Sequence, residues 1–416
     1  MNIKLQRWVD RWVGIPLCAA VSAVDALVRL VKKPPPQAAQ APKAIVIILL
    51  SEMGSLVLAH DMFTRLKTRY PQAELHALLF GKNREILDLM QVIDPAYVHT
   101  VDDKSLGGLI KSLRTAIGEL RRAGVDVAID CELFSRISSL LSYASGASVR
   151  VGFHRHTQEG LYRGSHINRP VPYNPYRHIS AQFLSLARAI DSTTTPKSKL
   201  PVMLSNKPPP HVHLNASFKP AIEARLALDF PGIAGKPLVL VYPGGGILPI
   251  RAWPLASYAA LCAGLAADNC AVAVIGLKDD QLLAQELVAQ VTAGNPSRVV
   301  IDLTGYTRSI AELLALFHVA QLLVTNDGGP GQFAALTPIW TLMLFGPETP
   351  SLYAPLAPNC FSFYSNWPCS PCLTAYNHRS SYCDGDNQCL KVIDPATVLA
   401  KAREFLATPL LASTAV

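Results

Sequence analysis

The sequence is poor in charge and has no extended basic segment. Only 16% of its 416 residues are Asp, Glu, Lys or Arg, and no more than two lysines or arginines are adjacent. Zinc-finger helices and RNP-like strands are also absent from the sequence. These absences argue against a nucleic-acid-binding protein. The net charge of +8 is better explained by an anionic membrane surface or a phosphorylated substrate.

Cysteine is sparse in most of the chain. The last five of the nine cysteines crowd between residues 360 and 389. A secreted disulfide scaffold would be shorter and denser in cysteine, so we expect a reducing compartment. A C-x2-C-x10-C-x5-C spacing, compatible with a structural zinc site, is formed by Cys369, Cys372, Cys383 and Cys389. A labile disulfide and reduced thiols are the alternatives, and we assign no chemistry to this cluster.

The N-terminal 33 residues lack an uncharged stretch that reaches across a bilayer. The uncharged core runs from Trp12 to Val24, which is short of the roughly 20 apolar residues that a spanning helix needs. Trp8 and Trp12 sit among basic residues, as in a helix that lies in the lipid headgroup region. We predict an amphipathic membrane-interfacial helix over residues 1–33. A secretory signal and a helix packed on the protein's own surface are the alternatives.

The rest of the chain alternates apolar strands with helices. Residues 34–43 are rich in Pro and Ala and predict a linker. The apolar run AIVIILL then begins a pattern of strands and helices, which restarts at Pro237. This alternation predicts two doubly wound α/β domains with parallel sheets. Their predicted bounds are 44–195 and 237–408, with an interdomain connection at 196–236 and a tail at 409–416.

The turn YPGGGILPIRAWP follows the first strand of the second domain. Its glycines, with Gly245 at the centre, allow a ligand to approach the backbone closely. Arg251 precedes the next helix and is placed to pair with phosphate oxygens. The GxxxxGK[ST] spacing of a Walker loop is absent. A purely structural turn, with Trp253 in the core, is the alternative.

A second glycine-rich turn, NDGGPGQ, follows a later strand of the same domain. Asp327 ends the strand, and Gly328 and Gly329 lead into a helix that carries Gln332. Successive backbone N–H groups in such a turn bind anions, which predicts a diphosphate site. The alternative for Asp327 is a helix cap.

Several motifs, taken together, resemble one family. These motifs are RAWP, IDLTGYTRSIAELLALFHVAQLLVTNDGGPGQFAAL, LFGPETP and the C-terminal cysteines, and in the first half YPQAELHALL and VDVAIDCELFSRISSLLSYASGASVRVGF. In this order, over roughly residues 44 to 406, the sequence is similar to the lipopolysaccharide heptosyltransferases of glycosyltransferase family 9. The resemblance implies the GT-B fold, in which two Rossmann-like domains face a cleft and the nucleotide sugar binds mainly to the second.

The resemblance also implies roles for residues of the second domain. Asp327 and the amides of Gly328 and Gly329 would hold the diphosphate-sugar. Arg251 stands where the family usually has the Lys of a K-x-W-P motif, and it would neutralise the leaving diphosphate. Asp280 lies where the family often has a Glu near the nucleoside. The implied reaction is an inverting transfer of a sugar, with ADP-heptose as donor and no metal required.

Two positions depart from the family pattern. After Gly54 the family usually has the Asp that is proposed as general base, and here that residue is Ser55. A serine hydroxyl is a poor base by itself, so we expect the role to move to Glu52 on the same turn, with Glu132 as the second choice. Gln332 stands where the family commonly has His, and glutamine cannot relay a proton. This change leaves open a donor, or a donor geometry, other than that of ADP-heptose.

The acceptor side of the site is expected in the first domain. Arg136 lies where the family has a basic residue on that side, and Arg163 belongs to a loop rich in His and Arg. A lipopolysaccharide-core or other lipid-linked acceptor would suit this charge, and the N-terminal helix would hold the protein on the cytoplasmic face of the inner membrane. The alternatives are a member that binds a nucleotide sugar or glycolipid without turnover, and a sugar-nucleotide epimerase of the same fold.

Overall fold

The computed structural model describes residues 3–31, 41–50, 52–133, 135–154, 162–205, 211–376 and 379–410. Most of the predicted linker at 34–43 and of the predicted tail at 409–416 lies outside the described residues. The chain divides into two compact units, residues 1–206 and 207–416. The division between the units falls inside the predicted connection at 196–236.

The N-terminal unit is built on a parallel sheet of six strands. In chain order they are β1 (Ala44–Ile48), β2 (Glu74–Phe80), β3 (Val98–Val101), β4 (Val127–Asp130), β5 (Val149–Phe153) and β6 (Arg169–Val171). Their order across the sheet is β3-β2-β1-β4-β5-β6, and all neighbouring pairs are parallel. Every residue of β1 is buried, as is typical of an aliphatic strand covered by helices on both faces.

Helices connect these strands and cover the sheet. They are α1 (Ile3–Trp12), α2 (Gly14–Val31), α3 (Met53–Leu58), α4 (His60–Arg69), α5 (Arg84–Met90), α6 (Leu106–Arg122), α7 (Arg136–Ala144) and α8 (Ile179–Ala189). Serine hydroxyls accept hydrogen bonds at the starts of α6 and α7, from Gly108 N to Ser105 and from Ser138 N to Ser135. These N-caps explain why both helices begin directly after polar loops.

The C-terminal unit repeats the architecture. Its strands are β7 (Leu238–Tyr242), β8 (Ala271–Gly276), β9 (Val300–Thr304), β10 (Leu322–Asn326), β11 (Trp340–Phe345) and β12 (Cys360–Tyr364). Their order is β12-β11-β10-β7-β8-β9, again with parallel pairs. The helices are α9 (Phe218–Asp229), α10 (Leu255–Ala267), α11 (Gln281–Ala293), α12 (Ile310–Val319), α13 (Gly329–Ala334), α14 (Pro350–Tyr353), α15 (Gln388–Lys391) and α16 (Pro395–Leu406).

Each sheet reverses its direction of winding at one place. In this strand order the reversal lies between the first and fourth strands, which are β1 and β4 in one unit and β7 and β10 in the other. Ligands of doubly wound sheets bind beyond the carboxyl ends of the strands at such a point. The turns after β1, β7 and β10, which the sequence analysis singled out, all lie at these ends. The prediction of two parallel α/β units is confirmed.

The N-terminal segment forms two helices with a break at Val13, where we predicted one. The buried residues of α2 are small or polar and include Ser22 and Asp25. Asp25 lies 2.7 Å from Arg150, and Ser22 Oγ lies 3.2 Å from His166 Nδ1. The segment therefore packs on the N-terminal unit through its polar face. Large apolar side chains that are more than half exposed belong to Trp8, Trp12, Val24, Leu27, Leu30 and Val31.

We expect Asp25→Ala to release α2 from the N-terminal unit. Arg150 is buried, and leaving it without its anion typically costs about 3–5 kcal/mol. Hydrogen exchange of the α2 amides should therefore become faster. Arg29→Ala is the control, because Arg29 contacts the same carboxylate from an exposed position, and exposed pairs contribute only about 0–1 kcal/mol. Equal exchange rates in the two variants would show that the Asp25–Arg150 pair does not hold the helix.

Candidate functional site

Asn326, the last residue of β10, joins the two glycine-rich turns of the C-terminal unit. Its side-chain amide donates to the carbonyl oxygens of Pro243 and Gly244, at 3.1 and 3.0 Å. Its side-chain oxygen, Oδ1, accepts a hydrogen bond from Trp253 N at 3.0 Å. One buried side chain thus fixes the turn after β7 against the turn after β10. The sequence analysis did not assign a role to Asn326, and its only signal was its place at a strand end before the glycines.

In the turn after β7, Gly245 and Trp253 have structural roles, whereas Arg251 is a candidate for ligand binding. A Cβ added to Gly245 would lie 2.7 Å from Leu248 O and Pro249 Cα, so only glycine fits there. Trp253 is buried in the core, and its indole N–H donates to Ile393 O at 3.2 Å. Trp253 therefore lies in the core, as the structural alternative for this turn requires. Arg251 ends the short helical turn between these two residues.

Arg251 lies in a cluster of carboxyl and guanidinium groups. Its Nη2 is 2.8 Å from Glu348 Oε1, and its Nε is 3.5 Å from Asp327 Oδ2. Arg379 Nε lies 3.3 Å from the same Glu348 oxygen. Glu348 follows β11 in the motif FGPETP, and only 3% of its side chain is exposed. The structure thus brings the predicted residues Arg251 and Asp327 together and adds two that were not predicted, Glu348 and Arg379.

The two carboxyl groups of this cluster are hard to ionise. Burial, together with the negative charge of Asp327, raises the pKa of Glu348 to about 8, although the positive charge of Arg251 opposes the shift. Burial also raises the pKa of Asp327 above its usual range, again against the effect of Arg251. Two carboxyl groups that both contact one guanidinium in a dry place cannot easily carry two charges. Near neutral pH the two carboxyl groups therefore carry fewer than two negative charges between them.

Several polar atoms in this part of the unit are buried without a hydrogen bond of good geometry. They are Arg251 Nε, Asp327 Oδ2, Glu348 Oε1 and Gln332 Oε1. Gln332 is tied to the site by its amide nitrogen, which donates to Tyr353 O at 2.7 Å, and the guanidinium of Arg379 lies 5.4 Å from the Tyr353 ring. Buried polar groups are almost always satisfied in native proteins. Unsatisfied donors and acceptors side by side indicate a place for a polar ligand.

The other predicted donor residues lie at the same edge of the sheet. Gly328 and Gly329 connect β10 to α13, which begins at Gly329. Asp280 follows β8, and its carboxylate accepts a hydrogen bond from Leu277 N at 2.8 Å. Its charge also contributes, after burial, to the raised pKa of Tyr242 at the end of β7. Asp280 thus caps the turn after β8, and its carboxylate lies near the glycine-rich turn after β7.

The turn after β1 brings Glu52 and Ser55 into contact. Glu52 stands directly before α3, and the Ser55 hydroxyl donates to Glu52 Oε2 at 3.2 Å. Both residues are half-buried. The Ser55 hydroxyl therefore contacts a carboxylate of the same turn.

Glu132 lies beside this turn but has a structural contact. Its Oε1 accepts a hydrogen bond from Leu50 N at 2.7 Å, which ties the loop after β4 to the loop after β1. Cys131 N donates to Ile48 O at 3.0 Å and reinforces the same junction. Both candidate bases thus lie at the carboxyl ends of β1 and β4.

The structure does not support acceptor binding by Arg163 or Arg136. Arg163 has no exposed side-chain surface and forms an ion pair with the buried Asp130. Its Nη1 also donates to Glu132 O at 2.6 Å. Arg136 is likewise buried, and its guanidinium pairs with Asp10 of α1 at 3.1 Å. Neither guanidinium is exposed to a ligand, because each is buried and bonded to other groups of the N-terminal unit.

The described His and Arg side chains of this loop, at 154, 163, 166 and 169, are less exposed than its composition suggests. His166 is buried, and burial lowers its pKa to about 4, so it is neutral near pH 7. Asp130 has its pKa raised to about 7 by burial, although the charge of Arg163 opposes this. Arg155 and His156 of the same loop lie outside the described residues.

The cysteine cluster does not form a metal site in the part of the chain that the structure describes. No group of three or more His, Cys, Asp or Glu side chains in those residues is arranged to hold an ion. The four cysteines are free thiols that differ in exposure, from Cys369 at the surface to the buried Cys389. Burial raises the pKa of Cys389 to about 11, and the nearby thiols of Cys372, Cys369 and Cys383 add to this shift. The four cysteines thus lie near one another, and we assign them no chemistry.

Comparison with known proteins agrees with the fold and with the motifs. The model of glycosyltransferase family 9 (heptosyltransferase) matches residues 114–382. Lipooligosaccharide heptosyltransferase 2 of Haemophilus ducreyi is 25% identical over 316 residues, which cover 75% of this chain and 86% of that protein. Lipopolysaccharide heptosyltransferase 2 of Salmonella typhimurium is 22% identical over 321 residues, or 75% of this chain and 85% of that protein.

A solved structure has the same fold. Escherichia coli ADP-heptose lipopolysaccharide heptosyltransferase II superposes with a TM-score of 0.67 at 21% identity, covering 87% of this chain and 98% of that one. The likeness shows the GT-B fold that the resemblance implied. Since the family model also matches more than half of its residues, this chain belongs to glycosyltransferase family 9 (heptosyltransferase).

Proposed function

We propose that the protein transfers a heptose from ADP-heptose to a lipopolysaccharide-core acceptor, with inversion at the anomeric carbon. The observation that carries this proposal is the group of unsatisfied buried atoms around Arg251 and Asp327, at the carboxyl ends of β7 and β10. A diphosphate offers oxygens to such donors, and a sugar offers hydroxyls to such carboxylates. The relatives named above are heptosyltransferases, and one is named for ADP-heptose.

In this proposal the C-terminal unit stabilises the leaving group. Bond cleavage leaves a nucleoside diphosphate with additional negative charge, which a fixed cation beside it stabilises without reorganisation. Arg251 supplies that cation, and the backbone amides of Gly328 and Gly329 add N–H donors. Asp327 and Gln332 would then contact the sugar, and Asp280 would lie towards the nucleoside. No step of this scheme is routed through a metal.

The N-terminal unit supplies the base. The acceptor hydroxyl loses its proton to the Glu52 carboxylate as its oxygen forms a bond to the anomeric carbon, and the bond from that carbon to the diphosphate oxygen breaks. The Ser55 hydroxyl, 3.2 Å from Glu52, orients the carboxylate by donating to it. Glu132 is the second choice, because a backbone amide already occupies one of its oxygens.

A transfer assay with labelled donor tests this function against its alternatives. The purified protein is incubated with ADP-heptose labelled in the sugar, with and without a lipopolysaccharide lacking heptose. We expect label in the lipopolysaccharide and release of ADP only when both substrates are present. Binding of the donor with no turnover would favour a non-catalytic binding protein, and epimerised donor in the absence of acceptor would favour an epimerase.

We also propose that α1 and α2 hold the protein on the cytoplasmic face of the inner membrane without crossing it. Residues 8–31 are long and apolar enough for a spanning helix by length and composition, more than the sequence analysis had allowed. A spanning arrangement, however, would withdraw Asp10 and Asp25 from Arg136 and Arg150 and leave buried charges unpaired. Polar contacts on one face and exposed apolar side chains on the other suit a helix lying in the interface.

The apolar face gives a direct prediction for membrane binding. Leu27→Asp combined with Leu30→Asp should weaken binding to vesicles of phosphatidylethanolamine and phosphatidylglycerol on the order of a hundredfold, because two leucines contribute about 3 kcal/mol. Leu228→Asp with Leu282→Asp is the matched control, since those leucines of the C-terminal unit are also highly exposed. Vesicle co-sedimentation measures the effect. Equal loss in both double variants would exclude a specific role for the N-terminal helices.

A further inference from the structure

Glu348 contacts both arginines of its cluster, which are Arg251 and Arg379. It follows β11, the neighbour of β10, so it reaches the cluster from a different strand than Asp327 does. One of its oxygens is 2.8 Å from Arg251 and 3.3 Å from Arg379. That oxygen is nevertheless among the buried atoms without a satisfactory hydrogen bond. The carboxyl group of Glu348 thus contacts both guanidinium groups with imperfect geometry, and it also lies within hydrogen-bonding reach of Asp327.

These contacts set a condition for binding a diphosphate. Arg251 meets Glu348 through Nη2 and Asp327 through Nε, so two carboxyl groups already share the charge that a phosphate would use. Phosphate oxygens placed at the same guanidinium would lie beside those two carboxyl groups. Like charges at such short range in a buried place repel strongly, so one of the acids has to lose its charge.

We infer that Glu348 is a positioning residue of the donor site, which holds the side chains of Arg251 and Arg379 in the empty site and takes up a proton when a diphosphate binds there. This inference rests on the proposed function, which places the diphosphate at Arg251. The charged and titratable groups around Glu348 are Arg251, Asp327, Arg379 and Tyr353. Of the two acids, Glu348 is the more buried and contacts both cations.

The sign of the pH dependence follows from this exchange. Burial raises the pKa of Glu348 to about 8 in the empty site, and a bound anion raises it further. Where Glu348 is ionised in the ligand-free protein, binding of the anion takes up a proton. The affinity for the anion is therefore constant below the pKa of Glu348 and falls as pH rises through that pKa. The fall approaches tenfold per pH unit above the pKa of the empty site. The phosphate groups of ADP titrate near pH 6, below this range.

Calorimetric titration with ADP between pH 7 and 9.5 tests the inference. The wild type should show the fall in affinity and, in buffers of different ionisation enthalpy, uptake of a proton at the upper end. Glu348→Gln should show neither, and Glu348→Asp should retain both because it keeps a titratable carboxyl group. Glu312→Gln is the control, since Glu312 also pairs with an arginine of this unit, Arg225 at 3.1 Å, but lies on α12.

An infrared measurement on the empty protein gives a second readout that does not need ADP. At pH 7 the spectrum of the wild type minus that of Glu348→Gln should contain a protonated-carboxyl band, because the band of Asp130, which has a pKa of about 7, cancels in the difference. The melting temperature shows whether the variant is folded. Wild-type affinity that does not change with pH, or an unchanged infrared band, would overturn the role of Glu348. Absence of ADP binding by wild type and variants alike would instead remove the proposed donor site, and this inference with it.

Discussion

Glu52→Gln is expected to lower kcat for sugar transfer about 10²–10⁴-fold, the usual contribution of a general base. Glutamine keeps the shape of the side chain and can still contact the Ser55 hydroxyl, but it cannot accept the acceptor's proton at pH 7. The affinity for ADP should stay at the wild-type value, because the donor residues belong to the other unit. A steady-state transfer assay and a binding titration separate the two effects.

Two further variants make the test of Glu52 specific. Glu132→Gln should reduce kcat less than Glu52→Gln does, because Glu132 is committed to Leu50 N. Ser55→Asp, which places a carboxylate directly after Gly54, should recover about tenfold or more of the activity lost in Glu52→Gln. Near-normal turnover of Glu52→Gln would remove Glu52 from the mechanism, and a larger loss in Glu132→Gln would move the base to that residue.

Arg251→Met is expected to lower kcat about 10²–10³-fold, as the loss of one electrostatic contact to a leaving group typically does. It should also weaken ADP binding, because the guanidinium would contact the diphosphate both before and after transfer. Arg251→Lys should keep most of the activity, since a lysine retains the charge, although it loses bidentate contact. Kinetic assays with both variants give the comparison.

Stability has to be measured beside these rates. Removing the Arg251 guanidinium leaves Glu348 and Asp327 as buried acids, which are expected to become protonated. Arg225→Met is the matched control, because Arg225 pairs with Glu312 in the same unit. If Arg251→Met and Arg225→Met lose the same activity and the same stability, Arg251 has only a structural role. A loss of activity confined to Arg251→Met supports the proposed stabilisation of the leaving group.

The fold and the position of the glycine-rich turns were predictable because they depend on local patterns. The run AIVIILL and the equivalent runs of the second half are continuous and aliphatic, which favours strands buried on both faces. Glycines directly after such strands mark the turns at the carboxyl ends. The structure confirms both patterns, with β1 fully buried and with Gly245 held too close to Pro249 for any side chain.

The polar contacts were not predictable in the same way because they join distant parts of the chain. Glu348 reaches Arg251 from a strand about a hundred residues away, and Asn326 joins two turns that are as far apart in sequence. Composition was misleading for Arg163, because a loop rich in Arg and His reads as exposed, whereas Asp130 holds this guanidinium in the core. Helix α2 also inverts the usual pattern by burying its polar face.

The anomeric configuration of the transferred sugar tests the account most directly. The purified protein, ADP-heptose and a lipopolysaccharide lacking heptose are incubated together, and the new glycosidic linkage is examined by nuclear magnetic resonance. The account predicts one heptose per acceptor, in the anomeric configuration opposite to that of the donor, with release of ADP. A product that retains the donor configuration, or binding of the donor without any new linkage, would contradict it.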